Sequence, residues 1–203
     1  MKVIETTLTT KAHFSEDGAK RYLLEKVWDT SKTKLAVIMM APSIAEGIAL
    51  DSTTLLCLNN ASRLGYGSVA VVNLFTTLND FDLKHTEPED TENMKVILNI
   101  AQEADAVVYA PGVGKAKNKA FQRRQKQVLS ALAPVEGKLY CLCDSDGASR
   151  FQHPLSPSVR TWHLSPMKIE ELVKHPKEQE VKVESKEATQ EEPKTPKGKK
   201  SGK

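Results

Sequence analysis

Four short apolar runs constrain the fold of this chain most strongly, because each ends in a turn and helical patterns lie between them. Runs of about five apolar residues that alternate with amphipathic helices are typical of βαβ units around a parallel sheet. The runs occupy residues 35–40, 69–74, 106–110 and 139–143. We therefore predict a single α/β domain over residues 1–173, with three α/β/α layers and a mostly parallel central sheet.

The segments on either side of these runs have different patterns. Residues 3–9 and 21–27 are strand-like and are separated by a turn at residues 15–18, which predicts an antiparallel pair at the edge of the sheet. Residues 174–203 are nearly all Lys, Glu, Gln, Thr, Pro and Gly. Such a segment buries too little apolar surface to offset the entropy of ordering it, so we predict a disordered, charged tail.

Composition narrows the class of protein. The formal net charge of +3 is too small, on its own, to indicate a nucleic-acid or membrane partner. No apolar run reaches the roughly 18 residues of a membrane span, and the N-terminus lacks the apolar core of a signal peptide. The spacing of Cys141 and Cys143 favours buried, reduced thiols over a disulfide or a metal site. We expect a cytoplasmic protein with no membrane contact, no metal and no cofactor, and the oligomeric state stays open.

Polar residues follow the first two runs at the edge where ligands bind in open parallel sheets. The first turn contributes Pro42, Ser43, Glu46 and Asp51, and Asn73 ends the second run. An Asn side chain donates and accepts hydrogen bonds at once, which suits recognition of the polar edge of a base. The structural alternatives are a helix cap for Asp51 and a satisfied strand-end amide for Asn73. Their predicted convergence makes the set a candidate site.

A glycine-containing turn and a basic stretch follow the third run. Gly112 and Gly114 precede Lys115, Lys117 and Arg123. Backbone amides at a helix start, together with ammonium groups, can hold a phosphate. The spacing is neither a P-loop nor a dinucleotide fingerprint. The alternative is a tight turn before a solvated helix face; if the stretch is functional, a polyanion is its natural partner.

His153 lies in a loop after the fourth run and is followed by Pro154. A histidine held above the strand ends can donate a hydrogen bond to developing negative charge. The alternative is a structural or solvated loop histidine. The sequence contains no Gly-x-Ser-x-Gly, His-Glu-x-x-His or Cys-x-x-Cys motif, so it does not support a serine hydrolase, a zinc peptidase or a kinase.

A series of short motifs extends over most of the chain. In order, they are Arg21-Tyr-Leu-Leu with Trp28, Pro42-Ser43, Asp51 with Thr53 and Cys57, Gly65-Tyr-Gly67, Asn73-Leu-Phe75 and His153-Pro-Leu155. Their order resembles that of a bacterial and phage family known as domain of unknown function 1643. The resemblance covers residues 21–162. The family name carries no activity, so the resemblance implies kinship and not function.

The layout also resembles that of uracil-DNA glycosylases, in which a first turn containing Pro, a strand-end Asn and a late His-Pro loop surround the base. The resemblance implies that Asn73 reads a base, that His153 stabilises the departing anion, and that Asp51 or Glu46 lies near the water. Base flipping toward these residues would suit the basic residues 115–126. The chain has Ala41 where the domain of unknown function family usually has Asn, and a first turn altered in this way favours binding over catalysis.

These patterns lead to two hypotheses from different classes. The first is a nucleic-acid- or nucleotide-binding protein with a glycosylase-like site at the strand carboxyl ends, which, if active, is a base-excising hydrolase. The second is a non-enzymatic module that binds a small nucleotide or another protein. The candidate catalytic residues are Asp51, Asn73 and His153, and the candidate ligand-binding residues are Pro42, Ser43, Glu46, Gly112, Lys115, Lys117 and Arg123.

Overall fold

The computed structural model describes residues 1–43, 47–78, 82–83, 90–114, 117–147 and 150–173. These residues form a seven-stranded mixed sheet with helices packed on it. The strands are β1 (Thr9–Phe14), β2 (Arg21–Val27), β3 (Lys34–Met39), β4 (Ser68–Asn73), β5 (Ala106–Tyr109), β6 (Leu139–Cys143) and β7 (His163–Pro166). The helices are α1 (Ser52–Arg63), α2 (Thr91–Glu103), α3 (Lys119–Ala131) and α4 (Ile169–Val173), with 3-10 turns at Ala133–Lys138 and Pro157–Val159.

The strand order is β1-β2-β4-β3-β5-β6-β7. The strands β4, β3, β5 and β6 are parallel to one another, while β1, β2 and β7 join the two edges in antiparallel orientation. The mixed α/β class, the parallel middle of the sheet and the antiparallel pair at one edge are therefore confirmed. Met39 pairs with Asn73, so the carboxyl ends of β3 and β4 lie side by side.

Helices cover both faces of the sheet. Cys57 and Ala61 of α1 belong to one buried cluster, with Val71 of β4. The opposite cluster contains Ile97 of α2 and Val128 of α3. The chain passes from β3 to β4 in one direction and then crosses back to β5 and β6, and right-handed crossovers place the two sets of helices on opposite faces. The loops after β3 and β5 therefore lead to opposite faces, which is the arrangement that creates a ligand-binding crevice in open α/β sheets.

The N-terminal strand differs from its prediction. It begins at Thr9 and not at residue 3, and Val3, Ile4 and Leu8 are exposed. The reason is the register, in which Thr9 already pairs with Val27, the last residue of β2. Residues before Thr9 have no residue of β2 opposite them, so their backbone forms no strand pairing and their apolar side chains stay exposed.

Some expectations concern residues outside the described part. The predicted disordered tail at 174–203 lies there, as do Glu46 and Lys115. Within the described ranges, no helix combines the length and the apolar content needed to cross a bilayer. The three cysteines, Cys57, Cys141 and Cys143, are buried and form no disulfide, as predicted.

Candidate functional site

Asp51 lies at the start of α1, the helix that follows β3 along the chain. It is the N-cap residue, and its Oδ1 accepts a hydrogen bond from the Thr54 amide at 2.6 Å. Partial burial raises the pKa of Asp51, but hydrogen bonds from the Ser43 hydroxyl and from Thr54, together with the positive charge of Arg21, outweigh it. The pKa therefore lies below the ordinary value of 3.8, and the carboxylate is ionised at neutral pH.

Arg21 contacts both the turn after β3 and the segment that follows β4. Its buried guanidinium donates from Nη1 to the Ser43 carbonyl at 3.0 Å. Its backbone amide donates to the Thr76 carbonyl, just beyond β4, at 2.9 Å. Pro42, between strand and turn, is buried, and Ser43 is half-buried. The turn that presents Ser43 is thus held by a charge-assisted hydrogen bond from β2.

Lys26 anchors a second point of the same turn. Its ammonium group is buried and donates to the Thr10 hydroxyl at 2.8 Å and to the Gly47 carbonyl. Desolvation lowers the pKa of Lys26 below its ordinary value. The antiparallel pair β1–β2 therefore supplies two cations, Arg21 and Lys26, that hold the turn after β3.

His153 is a neutral imidazole with its proton on Nε2. The Leu155 amide donates to His153 Nδ1 at 3.1 Å, so this nitrogen carries no proton. Burial lowers the pKa of His153, and the negative charge of Asp51 opposes that effect without cancelling it. The ring therefore presents an Nε2–H donor at neutral pH, within the electrostatic influence of an ionised carboxylate.

Gly112 allows the loop after β5 to approach His153. Its φ is +82°, and a Cβ atom added there would lie 3.1 Å from the His153 Cβ. A side chain at this position would meet both a disfavoured backbone conformation and a close contact. The absence of a side chain at Gly112 therefore lets His153 lie against the backbone of this loop.

Asn73 ends β4 and is almost completely buried, with 1% of its surface exposed. It alternates with Val69 and Val71, which pack with α1, so its side chain belongs to the same face of the sheet as α1. Among the described residues its Nδ2 is buried and has no hydrogen-bond partner. An unpaired buried donor costs free energy, and in native structures such a group calls for an explanation.

A second polar cluster closes the end of β4 on the other face. Asp90 caps α2 by accepting from the Asn93 amide at 3.0 Å, and its Oδ2 lies 3.3 Å from the Lys20 ammonium. The Asn93 side chain donates to the carbonyls of Asn73 at 2.9 Å and Leu74 at 3.2 Å. The backbone at the end of β4 is thereby satisfied by side chains of α2.

The predicted basic stretch divides into an exposed part and a buried residue. Lys117 and Arg123 are exposed. Arg124, which we assigned to the same stretch, is 2% exposed and donates from Nε to the Leu74 carbonyl at 2.8 Å. Burial lowers the pKa of Arg124, and the charge of Asp90 opposes this. Arg124 does not belong to a solvated helix face, which was the alternative considered for this stretch, because it follows Phe121 by three residues and lies on the inward stripe of α3.

The helix start proposed for phosphate binding is partly occupied by the chain itself. Asn118 caps α3, and its Oδ1 accepts from the Ala120 amide at 2.9 Å and from the Phe121 amide at 3.1 Å. These amides face a side-chain oxygen of the same chain. Any phosphate contact near α3 would therefore depend mainly on lysine and arginine side chains.

The structure thus brings Ser43, Asp51, Gly112 and His153 together. Sequence reasoning had not assigned a role to Arg21 or Lys26, since a cation in a strand-like segment carries no distinct pattern.

One comparison with known proteins identifies a relationship. The model of a family described as "Protein of unknown function (DUF1643)" matches residues 21–155, from the start of β2 to the loop that carries His153. The matched range includes all of the candidate residues. No curated protein matches the chain in sequence.

Proposed function

The chain belongs to the DUF1643 family, whose description assigns no activity, and from the site alone we propose that it binds a nucleotide or nucleic acid and hydrolyses an N-glycosidic bond. The observation that carries this proposal is the neutral His153, with its Nε2 proton, under the influence of the ionised Asp51. Asp51 can stabilise a positive charge and His153 a negative one. When the bond between a sugar and a base breaks, positive charge develops on the sugar and negative charge on the base at the same time.

The chemistry needs a carboxylate that stays ionised. As the bond to the base breaks, positive charge develops on the sugar ring, as in other glycoside hydrolysis. Asp51, whose pKa is lowered, is a weak proton acceptor and a good counter-charge. The base departs with the bonding electron pair, the oxygen of water bonds to the sugar carbon, and the water gives up one proton while the base takes one up.

His153 would act on the departing base. A neutral Nε2–H donates a hydrogen bond to the negative charge that develops there and gains strength as the charge grows. Asn73 would read the base, since its buried Nδ2 is a donor without a partner among the described residues. The parallel sheet, the strand-end Asn73 and the late His153 also support our proposal that the fold is uracil-DNA glycosylase-like.

A second candidate function is binding without catalysis. It is favoured by the hydrogen bonds that Asp51 already accepts from Thr54 and Ser43, which occupy part of its capacity to orient a water. On this hypothesis Lys117 and Arg123 contact phosphates, and the affinity falls steeply as salt is raised. The partner would be a small nucleotide, a nucleic acid or another protein.

Two further points complete the proposal. We propose a cytoplasmic location, because three buried free thiols suit a reducing compartment, and a bacterial or phage origin, as the family resemblance implies. We also propose that residues 1–173 form the functional domain.

The test combines ligand-induced stabilisation with base release. The full chain is screened by thermal shift against bases, nucleosides, nucleotides and short DNA and RNA strands at low and moderate salt, since a ligand that binds the native state raises the melting temperature. DNA strands that contain uracil or another base that raises the melting temperature then serve as substrates. We expect salt-insensitive stabilisation by a small base or nucleoside, lost in Asn73→Ala.

The variants separate the two functions. His153→Ala should lower the rate of base release by about 100-fold or more, with the melting temperature nearly unchanged. The paired variant Lys117→Ala/Arg123→Ala should weaken the binding of DNA but should lower the rate of base release at saturating substrate much less than His153→Ala does. Stabilisation by polymers alone, abolished by salt and by the paired variant, would favour the binding module. No stabilisation by any of these compounds would exclude base excision and the binding of nucleotides or nucleic acid, and would leave another protein as the partner of the binding module.

A further inference from the structure

We propose that Arg150 and Phe151 are positioning residues for His153, and that β7 and α4 hold them in place. The inference rests on the proposed function only in giving His153 its role as a donor. The geometry concerns a segment that lies partly outside the residues matched by the family, since β7 and α4 follow residue 155.

Phe151 has an unusual backbone conformation two residues before His153. Its φ is +61°, and it is the only non-glycine residue with a positive φ in the described ranges. A bulky side chain is disfavoured in this left-handed region. Such strain persists only where the surroundings determine the conformation, and it clusters at functional sites.

The Phe151 ring is held from two directions. It packs against the buried cluster on the α2 and α3 face of the sheet. The Arg150 guanidinium carbon lies 5.2 Å from the ring centroid, within the range of a cation–π contact. The left-handed backbone and the packed ring therefore support each other.

Arg150 is itself tethered to the last two elements of the chain. Its Nη2 donates to the Pro166 carbonyl in β7 at 2.7 Å, and its Nη1 pairs with Glu171 Oε2 in α4 at 2.5 Å. The other oxygen of Glu171 accepts from the Lys168 amide at 3.0 Å. One carboxylate thus joins the start of α4 to Arg150, and both contacts constrain the guanidinium that covers Phe151.

The backbone on each side of Phe151 is also attached. Arg150 forms a bridge with Cys143 at the end of β6, and the Gln152 amide donates to the Leu142 carbonyl at 3.2 Å. After this attachment the chain turns back, so that His153 reaches Gly112. A change of Phe151 to a negative φ would redirect the residues that follow it. His153 would then leave Gly112 and move relative to Asp51.

The state of the His153 ring tests the inference without any ligand. Long-range proton–nitrogen NMR spectra of the labelled full chain report the tautomer and the titration midpoint, and His153→Gln assigns the signals. In the native chain we expect one tautomer, with the proton on Nε2, and a midpoint below the ordinary imidazole value of 6.5. Because no substrate is used, this result does not depend on base release.

Three variants and one control decide the outcome. In Arg150→Gln and Phe151→Ala we expect both tautomers to appear and the midpoint to rise toward the ordinary value, because the ring becomes more exposed. Arg160→Gln changes an exposed arginine near the same segment and should alter neither. Unchanged tautomer and midpoint in both variants, with folded spectra, would overturn the inference. If Arg150→Gln does not fold, Glu171→Gln decides in the same way.

Discussion

The carboxyl ends of β3 and β4 lie side by side, and each is followed by a helix that begins at an aspartate, but the two aspartates have different neighbours. Asp90 accepts from the Thr76 hydroxyl at 3.2 Å, lies 3.3 Å from the Lys20 ammonium and is influenced by the charge of Arg124. Asp51 accepts hydrogen bonds from the Ser43 hydroxyl and from Thr54, and the positive charge of Arg21 also lowers its pKa. Its charge acts on a neutral histidine.

The difference shows how one local motif acquires two roles. At the end of β4, cations and amides of the chain neutralise Asp90 and satisfy the backbone carbonyls. At the end of β3, the charge of Asp51 is influenced by Arg21 and acts on the neutral imidazole of His153, and we propose that the Nε2 proton of this imidazole binds a ligand. The cap motif is the same in both places, and we propose that its surroundings let one of the two aspartates serve a site.

The largest effect should come from the buried arginine that closes β4. Arg124→Ala removes the hydrogen bond to the Leu74 carbonyl and a cation near Asp90, so we expect a loss of about 3 kcal/mol in the free energy of unfolding. Arg123→Ala, one residue earlier and exposed, should change it by less than about 0.5 kcal/mol. Urea unfolding at neutral pH measures both. Equal losses would contradict the assignment of these two arginines to different regions.

The two caps should separate stability from activity. Asp51→Ala and Asp90→Ala each remove a cap worth about 1 kcal/mol, and Asp90→Ala also loses its contact with Lys20, so it should be the more destabilising by roughly a further 1 kcal/mol. Base release should fall only in Asp51→Ala. The comparison fails if the Asp90 variant, measured below its unfolding transition, loses base release to the same extent.

The smallest effect concerns pH. Because the pKa of His153 in the folded chain lies below the ordinary value of 6.5, the unfolded chain takes up this proton first as the pH falls. The contribution of His153 to stability is therefore complete above pH 6.5 and declines below it. His153→Gln should flatten the free energy of unfolding between about pH 7 and pH 5. If the free energy of unfolding of the variant fell more steeply in this range, the pKa of His153 in the folded chain would have to lie above the ordinary value and not below it.

The charge of Asp51 offers a control for the same titration. Since that charge raises the pKa of His153 against the effect of burial, Asp51→Asn should lower the NMR titration midpoint of His153 further. Asp90→Asn, at the neighbouring helix start, is the matched variant and should leave the midpoint in place. An equal shift in both would mean that the imidazole senses the whole sheet end and not Asp51.

Much of the fold follows from local patterns. The four core strands lie within a residue or so of the apolar runs, and Asp51 caps α1 as its position predicts. The inner face of α3 contains Phe121, Val128 and Leu129, at helical spacing. These features depend on helical and strand periods and on capping chemistry, and both act over a few residues.

Other features needed the folded chain. The strand β7 carries a His-Leu-Ser-Pro sequence without apolar alternation, and it exists because β6 provides an open edge with which it pairs. Residues 3–8 have a strand-like pattern but no strand opposite them. Arg124 lies between these two kinds of feature. Its spacing from Phe121 on α3 indicates an inward position, but the basic residues around it suggest an exposed one.

By itself the sequence determined the parallel core, its edge pair, the helix start at Asp51 and the order in which polar residues follow the strands, since each depends on neighbours along the chain. Only the tertiary structure decided which of these residues meet. His153 lies near Asp51 and Gly112 because β5 pairs with β3 and β6 with β5, and because the backbone at Phe151 turns the chain back toward Gly112. Those contacts join residues far apart in sequence, and burial of both sheet faces selects them.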